Sequence, residues 1–483
     1  MKVSLKNIGM LNKADLEVGD LTIICGENNT GKTYATYSLY GFLSLNSFSS
    51  NPTNFYEFSM KSIFEYIDKF NISETNISID LDELCKFFAK IKTSIYQGFL
   101  EYLATLFAGK KDDFNDCEFY EDSFDNLIAL IKNKNNDDIK NFFKNFFDSE
   151  IKNNIITFDC KQYMLAIETL KEKQENKKND FRGNFIIQLL QYSFDNLYSK
   201  PFILSAERTG SSMFYKELDI NKSELMEKIG NMDGKNFDFQ LFDNIINKKY
   251  SRYPKPVKDN IYFIRDLEEV SKTKSFIAQD ENILHKEILD ILHKLVDGKY
   301  IVGQEGIEFA PGAKIKVTSK GKILLQRASS SVRSLLLLNF YILNAAKKND
   351  ILMIDEPELN LHPSKQILMA KLIAMLVNSG IKVFITTHSD YIVREISNCI
   401  MLNNIKDEEI KKLHHYKKEY KLNSNRVKAY IAKNLKKENI LESVEIREKQ
   451  GILMDTFDGA IDEQNESQSI IFQEIIKDNN ADK

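Results

Sequence analysis

The sequence predicts an α/β protein built on a mixed sheet, and three observations support this fold class. A glycine-rich loop, residues 26–33, lies between an apolar strand pattern and a helical pattern that runs to about residue 45. Between residues 332 and 389, helical and buried-strand patterns alternate, as is typical of parallel strands joined by crossover helices. The first 25 residues show two strands around a polar turn, which indicates an antiparallel pair beside them.

Length and composition limit the function classes. With 483 residues, the chain can form one large domain with insertions or two to three domains. Hydrophobic residues make up 43% and charged residues 28%, which is typical of a folded globular protein. The 66 basic and 70 acidic residues leave a net charge of −4, so DNA binding stays open but is unsupported by net charge.

No segment has the pattern of an export signal or a membrane helix. The residues after Met1 enter a strand pattern directly, and the longest apolar stretch, residues 335–346, is short and contains Asn339 and Asn344. We therefore expect a cytoplasmic protein that does not insert into a membrane. The five cysteines are scattered and show no metal or redox spacing, so we expect buried thiols.

The glycine-rich loop has the pattern of a phosphate-binding loop. Its glycines let the backbone turn tightly enough for N–H groups to point at phosphate oxygens, and the following helix N-terminus favours negative charge. The lysine would lie between the β- and γ-phosphates of ATP, and the last hydroxyl would bind Mg²⁺. A chance glycine-rich turn is the alternative. The loop consists of Gly26, Glu27, Asn28, Asn29, Thr30, Gly31, Lys32 and Thr33.

A pair of carboxylates follows a buried-strand pattern at residues 351–354. Parallel strands deliver such side chains to the sheet edge where ligands bind. Asp355 is a candidate Mg²⁺ ligand, and Glu356 is a candidate general base that deprotonates the attacking water. An acidic helix start is the alternative, although a helix cap does not require the preceding strand.

His388 follows the next buried-strand pattern, residues 382–385. An imidazole at this edge could contact the γ-phosphate or the attacking water, whereas a structural histidine at a strand end is the alternative. Together with Lys32 and Glu356, it forms a set of candidate catalytic residues.

These motifs, in this order, resemble those of the ABC-type ATPases of the SMC, RecF and OLD group. The resemblance covers residues 1–45 and 320–400, and the segments 355–363 and 386–389 are highly specific to the group. It implies an ABC-type ATPase head in which residues 357–363 form the D-loop and His388 is the switch histidine. ATP and Mg²⁺ are the implied ligands.

The signature segment of the group is matched in part by residues 328–331. Ser329 aligns with the signature serine, while serines including Ser330 replace the usual glycines. The resemblance implies that Ser329 and Ser330 bind the nucleotide of a second copy, giving a head-to-tail dimer unit from which larger oligomers can form. A simple helix cap is the alternative, and it is compatible with that role.

The composition of the residues outside these motifs divides the chain into segments. Residues 46–200 are rich in Phe, Asn, Lys and Asp at helical spacing, as in residues 139–147. Arg208 follows a short strand pattern and would contact phosphate, brace the insertion or form a structural salt bridge. We expect an N-terminal ATPase part with the phosphate loop (1–45), a mainly helical insertion (46–200), a strand plus helical segment (201–298), a C-terminal ATPase part (299–403) and a C-terminal extension (404–483).

Three functional hypotheses follow. The motif layout and the insertion resemble the standalone ATPases of anti-phage defence systems (AriA of PARIS, PtuA of Septu), which implies a sensor or scaffold with a separately encoded effector such as a nuclease. A RecF- or SMC-like DNA-repair or DNA-maintenance ATPase is the alternative, although no sustained heptads appear. An ABC transporter subunit would be shorter and carry a glycine-bearing signature.

Overall fold

The computed structural model describes residues 1–45, 70–72, 76–146, 149–159, 177–216, 253–303, 306–312, 321–454 and 463–472. These residues form a nine-stranded mixed sheet with helices on both faces, which confirms the predicted fold class. The strand order across the sheet is Glu118–Glu121, Lys2–Ile8, Leu11–Glu17, Glu438–Val444, Val427–Leu435, Leu21–Gly26, Lys382–Thr387, Ile351–Asp355 and Pro201–Leu204.

Five neighbouring strands of this sheet run parallel. The phosphate-loop strand (Leu21–Gly26) pairs on one side with Val427–Leu435 and on the other with the histidine strand (Lys382–Thr387). The histidine strand in turn pairs with the acidic strand (Ile351–Asp355), which pairs with Pro201–Leu204. The three strands that precede the predicted site residues are therefore adjacent, and their carboxyl ends meet at one edge.

The apolar core lies on both faces of the parallel strands. Alternate residues of one strand belong to different clusters: Ile24 and Met353 face the helix that follows the phosphate loop, whereas Ile23 and Ile354 face the opposite helices. Both faces are excluded from water, so the strands are continuously apolar rather than alternating. This double burial explains why they are the most recognisable strands in the sequence.

The helices pack on these two faces and around the insertion. Those of the described residues span Lys32–Leu45, Leu81–Leu106, Ser123–Lys132, Asn136–Phe143, Lys177–Leu197, Arg208–Phe214, Lys255–Arg265, Leu267–Val270, Phe276–Gln279, Ile283–Val296, Ser330–Phe340, Pro363–Asn378, Asp390–Leu402, Asp407–Ile410 and residues 463–472. None of the described helices is long and apolar enough to span a membrane.

The insertion contains a small sheet that the sequence prediction missed. Besides its long helix Leu81–Leu106, it forms an antiparallel four-stranded sheet from Asn71–Ile72, Asn76–Asp80, Ile155–Asp159 and Ser149–Lys152. The strands are two to five residues long, which is too short for a clear period-2 signal. One face is buried through Ile77, Ile79, Ile156 and Phe158, so a sheet with one solvated face is stable here.

The boundary drawn at residue 403 is wrong, because the following segment supplies two strands of the main sheet. The C-terminal hairpin (Val427–Leu435 and Glu438–Val444) is antiparallel within itself and parallel to its neighbours Leu21–Gly26 and Leu11–Glu17. Since the phosphate-loop strand is buried along its whole length, each of its edges needs a hydrogen-bonding partner. The C-terminal hairpin provides the second partner.

Alternating patterns after residue 298 predict four short strands, at residues 299–303, 306–310, 314–318 and 322–326. Two of them are observed closely, as the hairpin Gly298–Gly303 and Gly306–Pro311. A third is reduced to Ile323–Leu324, and the strand predicted at residues 314–318 lies outside the described residues. The serine helix (Ser330–Phe340) is α-helical to Phe340 and continues as one π-helical turn, Tyr341–Ala345. The helical pattern in the sequence predicts an end at about residue 347, which is close to the observed end.

Candidate functional site

The phosphate loop adopts backbone angles that require its glycines. Gly26 has φ +137° and Gly31 has φ +90°, values that side chains with a Cβ rarely adopt. A Cβ on Gly26 would lie 2.3 Å from the carbonyl oxygen of Ala432, in the C-terminal hairpin. Asn29, at φ +62°, is a residue type that tolerates the left-handed region. The Thr30 hydroxyl donates to the Glu27 carbonyl at 2.8 Å and closes the loop.

Lys32 begins the helix that follows the loop and turns its side chain back over it. Its ammonium donates to the carbonyls of Gly26 at 3.1 Å and Glu27 at 2.5 Å. Burial lowers its pKa, and the carboxylates of Asp355 and Glu356 oppose this shift. The ammonium thus lies inside the loop, near two carboxylates. A bound phosphate group would replace the two carbonyls as its hydrogen-bonding partner.

Asp355 is the last residue of the acidic strand and is only 2% exposed. One carboxylate oxygen accepts a hydrogen bond from the Thr386 hydroxyl, and the other lies 3.3 Å from the Thr33 hydroxyl. Burial raises the pKa of Asp355 to about 6, although the Thr386 bond opposes the shift. The sequence predicted Thr33 and Asp355 to share a cation, and the structure brings their oxygens together.

This pair of oxygens fits Mg²⁺. The ion prefers hard oxygen ligands and is commonly held by one or two protein groups together with substrate phosphates and waters. The Thr33 hydroxyl is exposed towards solvent at the helix start, while the Asp355 carboxylate is buried beside it. Burial disfavours the charged carboxylate, and a bound divalent cation would relieve that cost.

Glu356 is held in a left-handed backbone conformation, with φ +54°. Its N–H donates to the Thr386 carbonyl at 3.0 Å, so its backbone is anchored to the histidine strand. The carboxylate is about one-third exposed, and Oε1 lies 3.8 Å from Nε2 of His388. A non-glycine residue with positive φ at a strand end is typical of functional sites, where surrounding contacts hold the strained residue in place.

His388 is half-buried at the end of the histidine strand. Burial lowers its pKa, and the nearby ammonium of Lys32 lowers it further, while Glu356 opposes the shift. The imidazole is therefore neutral at neutral pH and can both donate and accept a hydrogen bond. Glu356, His388 and Lys32, predicted from separate motifs, lie in one cluster.

The loop after the acidic strand positions the histidine through Glu358. Its carboxylate accepts the backbone N–H of His388 at 2.6 Å and the hydroxyl of Thr387 at 2.8 Å. Burial raises the pKa of Glu358, whereas these two hydrogen bonds favour its charged form. The sequence placed Glu358 in the D-loop without a role, and the polar pair Thr386-Thr387 at an otherwise apolar strand end was the available signal.

Arg208 forms hydrogen bonds to backbone carbonyls rather than the salt bridge that was one expectation, as far as the described residues show. Its guanidinium is buried and donates to backbone carbonyls of Ser205, Asp355, Glu356 and Ser334. Both carbonyls of the acidic pair are therefore held by this one side chain. These hydrogen bonds hold the backbone behind the carboxylates, and a contact between Arg208 and phosphate stays a prediction.

The C-terminal hairpin also holds the phosphate loop. Asn439, which is 8% exposed, donates through Nδ2 to the carbonyl of Asn29 at 3.2 Å and to the carbonyl of Met10 at 2.8 Å. Its own N–H donates to the side chain of Asn12 at 2.8 Å. Asn439 thus joins the phosphate loop to the turn of the N-terminal hairpin, a contact that the sequence prediction missed because it crosses 410 residues.

The predicted signature serines lie at the start of the serine helix. Ser329 is its N-cap and accepts the N–H of Val332 at 3.3 Å, and Ser330 accepts from Arg333 at 3.2 Å. Both side chains are exposed. Their hydrogen bonds are local to the helix start, so within one copy the serines are not brought into the cluster formed by Lys32, Glu356 and His388.

Several solved structures are similar to the chain. The Smc head bound to the C-winged helix domain of ScpA is 12% identical, with 92% of this chain and 97% of that chain covered and a TM-score of 0.35. The Smc head domain from Pyrococcus furiosus with an extended coiled coil is 13% identical over 97% and 98%, with a TM-score of 0.31. The SMC head domain from Thermotoga maritima is 10% identical over 92% and 98%, with a TM-score of 0.30.

No curated protein matches the chain. The family model described as AAA ATPase domain matches residues 1–393, which include the phosphate loop, the serine helix, the acidic pair and His388. Because this match spans most of the 483 residues, the chain belongs to the AAA ATPase domain family.

Proposed function

We propose that the chain binds and hydrolyses ATP to ADP and phosphate, as an ABC-type ATPase of the SMC, RecF and OLD group. One observation carries the proposal: the phosphate loop, the acidic pair and His388 meet at the carboxyl ends of three adjacent parallel strands. That edge is where α/β sheets bind ligands, and it here combines a loop for phosphates, an ammonium and two carboxylates.

In this proposal the loop residues 26–33 cradle the phosphates. The backbone N–H groups and Lys32 neutralise the β- and γ-phosphate oxygens, and the ammonium leaves the carbonyls of Gly26 and Glu27 to do so. Thr33 and Asp355 would hold Mg²⁺, which when bound neutralises charge on the phosphates. Thr386 keeps the Asp355 carboxylate oriented toward Thr33.

Glu356 acts as the general base. Its carboxylate takes a proton from water as the water oxygen attacks the γ-phosphorus, and the bond to the β,γ-bridging oxygen breaks to leave ADP. His388 is neutral at neutral pH, and its Nε2 lies 3.8 Å from Oε1 of Glu356. Its imidazole orients the water or the γ-phosphate by hydrogen bonding. Lys32 stabilises the charge that shifts toward the leaving oxygen.

A second copy completes the site. Ser329 and Ser330 are exposed at a helix N-terminus, which offers hydroxyls and free N–H groups to an anion. A head-to-tail dimer would place these groups on the γ-phosphate of the partner, so ATP would hold two copies together and hydrolysis would release them. Sedimentation of Glu356→Gln with Mg-ATP tests this step: a dimer that Ser329→Arg abolishes supports it, and equal sedimentation with and without nucleotide contradicts it.

Hydrolysis is tested by phosphate release from Mg-ATP with purified protein. We expect multiple turnovers by the wild type, loss of binding in Lys32→Ala, and retained binding without turnover in Glu356→Gln. Parallel purification of both variants controls for contaminating ATPases. No phosphate release by the wild type, or undiminished release by Glu356→Gln, would contradict the proposal.

The cellular role that we propose is a sensor or scaffold in anti-phage defence, acting with a separately encoded effector such as a nuclease. The support is the layout of the motifs along the chain, together with an insertion of about the size found in such ATPases. Plaque counts on cells carrying the chain with its genomic neighbours provide the test. Protection that Lys32→Ala abolishes supports the role, whereas salt-sensitive stimulation of the ATPase by duplex DNA, without protection, supports the DNA-maintenance alternative.

A further inference from the structure

We propose that Arg208 is a positioning residue that fixes the backbone of Glu356 and connects it to the serine helix. The inference rests on the proposed ATP hydrolysis, and it adds a residue that acts by holding the backbone of Glu356 in place. Arg208 begins the short helix Arg208–Phe214, which follows the edge strand Pro201–Leu204 of the main sheet. Its side chain points inward between the acidic strand and the serine helix.

Every hydrogen bond of the guanidinium goes to a backbone carbonyl. Nη1 donates to Asp355 at 2.6 Å and to Ser205 at 3.0 Å, Nη2 donates to Glu356 at 2.6 Å, and Nε donates to Ser334 at 3.2 Å. The side chain is only 3% exposed. The guanidinium reaches four acceptors from three nitrogens held in one plane, whereas a lysine ammonium has a single nitrogen with three N–H groups and cannot reach all four.

The charge of this buried group is compensated by the site itself. Burial lowers the pKa of Arg208, and the nearby carboxylates of Asp355, Glu358 and Glu356 oppose the shift. Arg208 stays charged, because the pKa of arginine is far above neutral. A buried cation behind the acidic pair is costly unless it is hydrogen-bonded, and here every nitrogen has a partner.

The strained residue needs such a brace. Glu356 has φ +54°, and its N–H and its carbonyl are each held from outside: the N–H by the Thr386 carbonyl, the carbonyl by Nη2 of Arg208. Positive φ is strained in a residue other than glycine and persists only where contacts over-determine it. Without Arg208, the backbone at Glu356 can relax and carry the carboxylate away from the attacking water.

The same side chain reaches the helix that presents the serines. Ser334 lies in the serine helix, one turn beyond Ser330, and its carbonyl accepts from Nε of Arg208. A parallel link joins the two helices, because the Ser212 hydroxyl donates to the carbonyl of Arg333 at 3.2 Å. A shift of the serine helix when a second copy engages it would therefore move the guanidinium that holds Glu356.

Variants at Arg208 separate positioning from mere support of the fold. We expect Arg208→Lys to bind a fluorescent ATP analogue with an affinity within about twofold of that of the wild type. Its turnover should be roughly 100-fold slower, which is the effect of displacing a catalytic group by about one ångström. Arg208→Ala should behave alike and regain part of its turnover when guanidinium ions are added at sub-denaturing concentration. Arg447→Lys, an exposed arginine paired with Glu445, is the matched control and should show neither effect.

The outcomes distinguish this inference from the proposed function. If the wild type releases no phosphate, the proposed function fails and takes this inference with it. If the wild type is active and Arg208→Lys turns over at the same rate, only the positioning role is overturned. Loss of nucleotide binding and of thermal stability together in both variants also overturns it, because that is the signature of a residue that only supports the fold.

Discussion

The carboxylate of Glu358 accepts the backbone N–H of His388 at 2.6 Å. This single contact links the loop after the acidic strand to the end of the histidine strand, and a second bond from the Thr387 hydroxyl at 2.8 Å secures it. The backbone position of His388 is therefore set by a carboxylate of the neighbouring loop. Movement of this loop would therefore move the histidine.

Replacing Glu358 with Gln should slow hydrolysis and spare nucleotide binding. Glutamine keeps the volume but brings an amide in place of one oxygen, so one of the two donors, His388 N–H or Thr387 O–H, loses its acceptor. A lost hydrogen bond to a charged group costs about 1.5–3 kcal/mol. If this cost raises the activation free energy of hydrolysis, turnover falls by roughly 10- to 100-fold. Phosphate release and binding of a fluorescent ATP analogue measure the two properties.

The matched control is Glu408→Gln, at an exposed position in the short helix Asp407–Ile410. It makes the same chemical change away from the histidine strand and should leave both properties unchanged. Equal turnover of Glu358→Gln and the wild type would show that His388 needs no such anchor.

Asp355 should make the Mg²⁺ requirement depend on pH. Its pKa is raised to about 6 from the ordinary 3.8 by burial, so below pH 6 the carboxyl becomes neutral and loses its affinity for a cation. We expect the Mg²⁺ concentration for half-maximal nucleotide binding to rise by up to about tenfold per pH unit below 6. Titrations at pH 7.5, 6.5 and 5.5 check this, and a requirement that is flat across these values would contradict it.

The same raised pKa has a consequence for stability. The pKa of Asp355 is higher in the folded state than in the unfolded chain, so between about pH 4 and 6 the folded state keeps a proton that the unfolded chain has lost. The contribution of Asp355 to the free energy of unfolding therefore falls as pH rises through that window. Mg-ATP should offset the penalty above pH 6. Thermal unfolding with and without Mg-ATP should therefore show a nucleotide-induced stabilisation that shrinks below pH 6.

The parts predicted correctly from the sequence are those with strong local patterns. The strands ending at Gly26 and Asp355 are apolar on both faces, and a glycine or a carboxylate pair marks the end of each. Such signals are contained within about ten residues. That both strands deliver their ends to one edge of the sheet followed from the general rule that parallel strands share a carboxyl edge.

The missed features are long-range contacts between residues whose own patterns are weak. Arg208 contacts carbonyls 126 to 148 residues away, and backbone acceptors leave no trace in the sequence. Asn439 lies on a strand with polar and apolar residues mixed, and the two acceptors of its side-chain amide nitrogen are again carbonyls. Only the order of strands in the sheet reveals that the C-terminal hairpin borders the phosphate loop.

Replacing Asn439 with Ala should weaken ATP binding. The change removes the hydrogen bonds to the carbonyls of Asn29 and Met10, so the phosphate loop is less well held in its binding conformation. At about 1 kcal/mol for each bond, we expect a roughly 5- to 30-fold higher dissociation constant. Asn423→Ala, which loses one local hydrogen bond to Asn425 before the hairpin, is the control and should bind as the wild type does. Unchanged affinity of Asn439→Ala would show that the hairpin is only a sheet partner.

Replacing Gly26 with Ala should abolish ATP binding and lower the stability of the fold. The new Cβ would lie 2.3 Å from the backbone carbonyl oxygen of Ala432, which cannot rotate away, and φ of +137° is itself strained for alanine. The strand Val427–Leu435 would have to separate from the phosphate-loop strand, or the loop would have to change its turn; either change removes N–H groups from the phosphate site. Gly210→Ala is the matched control, because nothing lies within 4 Å of a Cβ there. Thermal unfolding and binding of a fluorescent ATP analogue test both variants, and wild-type affinity in Gly26→Ala would contradict the close packing of the C-terminal hairpin against the loop.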